Sequence, residues 1–291
     1  MVCVGDLMVD VLARLPGPLA VGSDTPAPVT FLGGGAAANV AAWLAAAGTK
    51  ATFVGRVGAD TAGREALAGL HDAGVATAVS VDEARPTGCC IVLVEPGGER
   101  TMIPSAGANT GLALVDARTT LPDDAEAVYV SGYALLAAGA RSFAQDAIAV
   151  ARARGWLLAV DVASAAPLIA LDAGEFESWL GTGLVVFAND DEAVVLTGCR
   201  GAGAARALAH RFGEAVVKSG ASGASWSDGR RVTTVPAPRV TVVDTTGAGD
   251  AFAAGFLHAR LHGGTAEQWL GHGTELAGRA VQTVGARPAR R

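Results

Sequence analysis

The stretch Thr241–Phe252, TVVDTTGAGDAF, opens as an apolar strand-type run at Thr241–Val243, passes through glycines and reaches an aspartate where a small-residue helix begins. Backbone N–H groups and the helix dipole favour anions at such a helix start. Asp250 therefore has two readings. It is an ordinary N-cap, accepting hydrogen bonds from free N–H groups, or it is a base set beside a phosphate site. In the second reading the small residues Gly247, Ala248 and Gly249 let their N–H groups close on a phosphoryl group, and Asp250 takes a proton from an incoming hydroxyl.

The rest of the chain supplies the frame. It has 291 residues, 51% of them hydrophobic but few aromatic, which suits a large core of small side chains. The net charge of −6 argues against nucleic acid or an anionic membrane as partner, and the basic stretch Arg287–Arg291 is too short to change that. Cys3, Cys89, Cys90 and Cys199 lack metal-type spacing and read as thiols of a reducing cytosol. Asp6 and Asp10 interrupt the opening stretch as a signal segment, and no apolar run is long enough to span a bilayer, so a cytoplasmic protein is expected.

From Ala127 onward the chain alternates. Strands are expected at Ala127–Ser131, Leu157–Asp161, Leu184–Ala188 and Ala215–Lys218, with helices near Ala140–Ala153, Asp190–Leu196 and Ala202–Phe212. Upstream, Val2–Val4 and Ala51–Val57 read as strands, Ala36–Ala47 and Ala62–Ala73 as helices. Two closing helices are expected at Gly249–His262 and Ala266–Thr283. Apolar strands alternating with helices imply one α/β domain with a mainly parallel sheet covered on both faces. Two β-like excursions, near 10–32 and 87–104, fall outside the alternation and together suit a small sheet over one edge, a lid. The second is a hairpin turning at Pro96-Gly97-Gly98.

Ligands of such sheets sit outside the carboxyl ends of the strands, and further constellations converge there. Gly34-Gly35-Ala36-Ala37-Ala38-Asn39 opens a helix with glycines, and Asn39 offers a donor and an acceptor to sugar hydroxyls. Asn189 and Glu192 share a helix face after a strand and suit a hydrated Mg²⁺, although capping explains them equally well. Lys218, one of only two lysines, leads into Ser219-Gly220-Ala221-Ser222-Gly223, a loop able to hold a nucleotide or simply to turn. No Walker loop, G-x-G-x-x-G fingerprint, G-x-S-x-G elbow or H-E-x-x-H motif occurs.

Taken in order, Gly34–Asn39 with Gly48 and Gly58, and Asp244–Asp250 running on to Gly255-Phe256-Leu257, resemble the ribokinase-like (PfkB) carbohydrate kinase family over nearly the whole chain. The resemblance implies a three-layer fold with a lid, and ATP-dependent phosphorylation of a hydroxymethyl group on a sugar or nucleoside. It implies Asp250 as base and Gly247, Ala248 and Gly249 as anion hole. Acceptor contacts are implied at Asp10, Gly34, Gly35 and Asn39, and nucleotide contacts at Asn189, Lys218, Gly220, Gly223 and Gly249. Asn189 and Glu192 would organise Mg²⁺ through water, and Asp244 and Thr246 match a monovalent-cation loop that takes K⁺ in some members.

The departures bear on the acceptor. Met8 replaces an Asn of ribokinase, Ala36 replaces a Lys, and the segment after Ser131 lacks its Glu, which argues against ribose. The segment after Asp161 lacks the Asn and Arg of ketodeoxygluconate kinases. With no cation expected near the acceptor, a neutral substrate follows, and Tyr133 suits stacking on a base or sugar ring and packing equally well. A non-catalytic sugar sensor and a dinucleotide oxidoreductase are the competing classes. The intact Asp250 turn opposes the first and the missing fingerprint the second. Apolar residues on both faces of Ile91–Val94 lead to the expectation of a homodimer through the lids.

Overall fold

A computed structural model describes residues 1–97, 99–114, 117–171 and 173–289 of the chain. Gly98 of the expected turn and Arg290 and Arg291 of the basic stretch lie outside the described residues.

The strands of a nine-stranded sheet are β1 (Val2–Val4), β4 (Thr52–Gly58), β5 (Ala76–Asp82), β8 (Ala127–Ser131), β9 (Leu157–Asp161), β10 (Leu184–Asn189), β11 (Gly213–Lys218), β12 (Ala224–Ser227) and β13 (Val232–Val235). Their order is β13-β12-β11-β10-β9-β8-β1-β4-β5, parallel except for the β12–β13 hairpin at one edge. A second sheet, β3-β2-β6-β7, joins β2 (Met8–Arg14) and β3 (Val29–Gly34) to β6 (Gly88–Val94) and β7 (Arg100–Ser105). The two excursions thus pair with each other, β2 running parallel to β6.

Strand side chains alternate between the faces of the large sheet. Val4, Val128, Val130, Val160 and Val186 point to one side and pack with Phe143 and Ala147 of α5 (Ala138–Arg154) and with Ala204 and Leu208 of α9 (Gly201–Phe212). Cys3, Tyr129, Ala159, Phe187 and Val216 point to the other. There they meet α1 (Ala36–Ala46), α2 (Thr61–Asp72), α10 (Ala248–Leu261) and α11 (Ala266–Ala280). Short helices α3 (Ala117–Thr120), α4 (Gly132–Leu136), α6 (Ala165–Ala170), α7 (Ala173–Leu180) and α8 (Asp190–Thr197) complete the layers. Half of the buried residues of α1 and of α10 are alanine, and the two helices pack together with Asn39 beside Asp250.

Three expectations need correction. Thr241–Val243 is not a strand: Val242 and Val243 are exposed, and the N–H groups of Val243 and Asp244 bond to Val281 O instead. The last helix ends at Ala280, because the chain then turns back along the Asp244–Gly247 loop rather than continuing to Thr283. Val92, expected on an interface, is buried with Leu12 and Cys90 on the inner face of the small sheet, and Val94 packs against them. The apolar row left open lies on the opposite face, where Val11, Phe31, Ile91 and Ile103 are cross-strand neighbours. Phe31 is 71% exposed and Ile103 54%.

Candidate active site

The parallel strands deliver one polar residue after another to their shared carboxyl edge: Asp6 after β1, Ser131 on β8, Asp161 on β9, Asn189 on β10 and Lys218 on β11. The strand order reverses between β1 and β8, and there Ser131 Oγ donates to Asp6 Oδ1 at 3.0 Å. Asp6 Oδ2 in turn accepts the N–H of Ala36 at 2.9 Å, docking the start of α1 onto this point. Gly35 precedes it at φ 91°, and a side chain there would start 2.5 Å from Asp6 O, so only glycine fits.

Asp250 is not a cap. The N-cap of α10 is Gly247, at φ 74° with Ala286 packed where a side chain would stand, and no side chain caps the helix. Among the described residues the N–H groups of Gly247 and Gly249 have no hydrogen-bond partner, whereas that of Ala248 leans on Thr245 O at 3.3 Å. Two of the three expected anion-hole donors are therefore open and the third is weakly engaged. The Asp250 carboxylate accepts Nδ2–H of Asn39 at 2.9 Å. Burial pushes its carboxyl up to about 8, with Asn39 and Lys218 working the other way and Asp161 and Asp6 adding to it.

Lys218 Nζ donates to Asp161 Oδ2 at 2.7 Å and lies 3.3 Å from the point where a side chain on Gly249 would begin. Burial alone draws its ammonium down, but Asp161 and Glu192 outweigh it and hold the lysine above its usual value. The loop beyond closes through Ser219 N–H to Gly223 O at 2.8 Å, with Gly220 and Gly223 at its corners and Ser219 Oγ buried without a partner among the described residues.

Asn189 and Glu192 form a capping box on α8. Glu192 Oε2 accepts Asn189 N–H at 2.8 Å, Glu192 Oε1 accepts Nδ2–H at 2.7 Å, and Asn189 Oδ1 accepts Glu192 N–H at 2.9 Å. Burial and Asp161 push Glu192 upward. No cluster of three or more His, Cys, Asp or Glu able to hold a metal occurs among the described residues. The remaining lone pairs of Glu192 fit Mg²⁺ through its waters, the form in which that ion accompanies phosphates.

On the acceptor side, Asp10 is almost fully buried and its carboxylate occupies the space beside Gly34. Burial raises it to about 6, against the pull of Arg287. Asp244 accepts Thr246 N–H at 2.9 Å, Thr246 Oγ1 at 2.7 Å and Gly285 N–H at 3.0 Å. Burial opposes ionisation of Asp244, yet these bonds with Arg100 keep it below the usual carboxylate range. Arg100 of β7 pairs with Asp244 at 3.1 Å and also reaches Thr245 and Thr246, so a guanidinium from the small sheet stands at the expected cation loop. Tyr133, at the start of α4, is 43% exposed at the cleft edge.

Four site residues escaped the sequence reading: Asp6, Arg100, Asp161 and Arg287. Asp161 ends an apolar strand and Asp6 stands two residues beyond one, a signal that was available. Arg287 corrects the expectation that no cation approaches the acceptor, since Nε donates to Asn39 Oδ1 at 3.2 Å and Nη2 to Gly34 O at 2.9 Å.

The chain thus has a three-layer α/β body with a small second sheet, glycine turns at helix starts and a carboxylate in the first turn of α10. Residues 1–290 match the family model described as "pfkB family carbohydrate kinase", and the chain belongs to that family. It is 30% identical over 264 residues to the ATP-dependent ribose-1-phosphate kinase of Halopiger xanaduensis, covering 88% of this chain and 83% of the relative. It is also 30% identical over 277 residues to Arabidopsis thaliana ribokinase, covering 89% and 69%. The adenosine kinase structure from Sinorhizobium meliloti superposes with a TM-score of 0.88 at 26% identity, over 99% of this chain and 95% of that one. No helix among the described residues is long and apolar enough to cross a membrane.

Proposed function

We propose that the protein transfers the γ-phosphoryl group of ATP to a hydroxymethyl group of a small neutral sugar or sugar-like acceptor, with Asp250 as general base. The observation that carries this reading is the Asp250 carboxylate: it caps nothing, it lies in the first turn of α10, and it is held by Asn39 on the acceptor side. Burial raises its basicity into the range where a carboxyl removes a proton effectively. The open N–H groups of Gly247 and Gly249, the α10 dipole and the Lys218 ammonium would stabilise charge on the phosphoryl oxygens. Asn189 and Glu192 would hold the waters of Mg²⁺, which supplies charge neutralisation to the phosphates when bound. Lys218, Gly220, Gly223 and Gly249 would line the nucleotide.

Asp10, Gly34, Gly35 and Asn39 would bind the acceptor hydroxyls; the Asp10 carboxylate accepts no hydrogen bond from the described residues and is free to do so. A neutral acceptor is retained despite Arg287. Two arms of its guanidinium are used on Asn39 and Gly34, and its charge faces Asp10 and Asp250. Tyr133 at the cleft edge suits stacking on a ring, so a nucleoside acceptor is the second reading. We also propose K⁺ at Asp244 and Thr246 in place of the Arg100 guanidinium that bonds to them here, a homodimer through the open face of the small sheet, and a cytoplasmic location. Coupled ADP release over a panel of pentoses, hexoses and nucleosides tests the function. One neutral acceptor should stand well above the water background, and a non-catalytic sugar sensor would give binding without turnover.

A further inference from the structure

The segment after α11 folds back across the site. Gly285 N–H donates to Asp244, Ala286 O accepts Trp43 Nε1–H at 2.9 Å, and the Ala286 backbone packs against Gly247. This anchoring inserts Arg287 between the end of β3 and the first turn of α1. From there a chain of hydrogen bonds runs Arg287 Nε–H to Asn39 Oδ1, then Asn39 Nδ2–H to Asp250 Oδ2.

The two ends of an asparagine amide are nearly the same shape, and only their partners decide which way they point. A guanidinium can only donate, so Arg287 compels Asn39 to turn its oxygen towards the arginine and its N–H towards Asp250. With the amide reversed, Asn39 would face Asp250 with a second acceptor and repel its ionised form. The other arm of the fork, Nη2 on Gly34 O at 2.9 Å, fixes the guanidinium itself. We propose that Arg287 is a positioning residue for the base: it locks the Asn39 amide so that an N–H donor holds and aims the Asp250 carboxylate.

The inference rests on Asp250 being the base. Other groups facing Asp250 are Asp6 after β1, Tyr129 on β8, Tyr133 on α4, Asp161 on β9 and Lys218 on β11. None of these orients Asn39. Loss of Arg287 removes a nearby cation and frees the amide to turn, and both effects raise the Asp250 carboxyl. A purely structural role for Arg287, pinning the segment to α1, would lower thermal stability without moving that carboxyl.

The test combines kinetics with titration on the full chain. In Arg287→Ala, kcat should fall at least about tenfold with KM for ATP little changed, the scale expected for losing a hydrogen bond to a charged group. The acid limb of the pH–rate profile should move upward by about one unit, and added guanidinium ion should restore part of the rate. Independently of turnover, carboxyl NMR with Asp250→Asn for assignment should show Asp250 titrating at higher pH in Arg287→Ala. Should that variant not fold, Arg287→Lys keeps the stem and charge but not the fork, and should shift the limb the same way by less. Unchanged kcat, acid limb and Asp250 titration, with only a lower melting temperature, would overturn the proposal. If the wild type phosphorylates no acceptor, the kinase reading falls, while the titration still decides whether Arg287 sets the Asp250 carboxyl.

Discussion

Lys218 Nζ and Asp161 Oδ2 are 2.7 Å apart at the carboxyl ends of β11 and β9, with the ammonium set against Gly249. Both side chains are shielded, at 16% and 9% exposure, so the pair exchanges little with solvent. Opening either partner leaves a buried charge uncompensated. Asp161→Asn should cost about 3 kcal/mol of stability, read by denaturant unfolding. Lys218→Met should lower kcat about 10²-fold, as removal of a charge stabiliser does. Wild-type kcat in Lys218→Met would remove the lysine from the reaction.

The elevated Asp250 carboxyl has a consequence for stability. Its folded value, about 8, lies above the unfolded one. Its contribution is therefore fully present below the unfolded value, about 4, and is lost as pH rises through about 8. Asp250→Asn carries no such charge. Its melting temperature should exceed that of wild type at pH 8 and above, the gap closing towards pH 4. A constant gap across this range would mean that Asp250 is not held protonated by burial. In wild type, the rate should rise over the same interval as the base ionises.

Arg100 links the small sheet to the Asp244–Thr246 loop. Arg100→Ala should raise KM for the acceptor several-fold while leaving the fold intact, because the side chain is mostly a bridge across the cleft. The same loop should make the rate higher in K⁺ than in Na⁺. Equal rates in K⁺, Na⁺ and a bulky organic cation would rule out a monovalent site there.

The open row Val11, Phe31, Ile91 and Ile103 is the surface proposed between two copies. Light scattering should give the mass of a dimer rather than of the 29.0 kDa chain, and Phe31→Asp or Ile91→Asp should shift it to monomer. Val92→Asp should instead destabilise the sheet, since Val92 is 2% exposed. A monomer in the wild type would refute the interface.

The apolar strands from Ala127 to Lys218 declare themselves by composition, and the two glycine turns by their neighbours, so the large sheet and the helix starts that carry Asp250 and Asn39 were legible. β5, ATAVSVD, was not, because it is half-polar at the sheet edge and lacks the apolar run of its neighbours. Arg287 was hidden for a different reason. Its partner Asn39 is 248 positions away, and only the fold-back after α11 brings them together. Arg100 likewise depends on where the β6–β7 hairpin lands. Local pattern carries the elements; charges delivered by a distant segment leave no periodic trace.

The role proposed for Asp250 is removal of the acceptor proton. The most direct measurement is phosphoryl transfer by Asp250→Asn against its ATP binding, using the acceptor that wild type turns over. The amide keeps the shape and loses the basicity, so transfer should fall about 10²–10⁴-fold while ATP binds nearly as before. Transfer within a few fold of wild type would exclude Asp250 as the base.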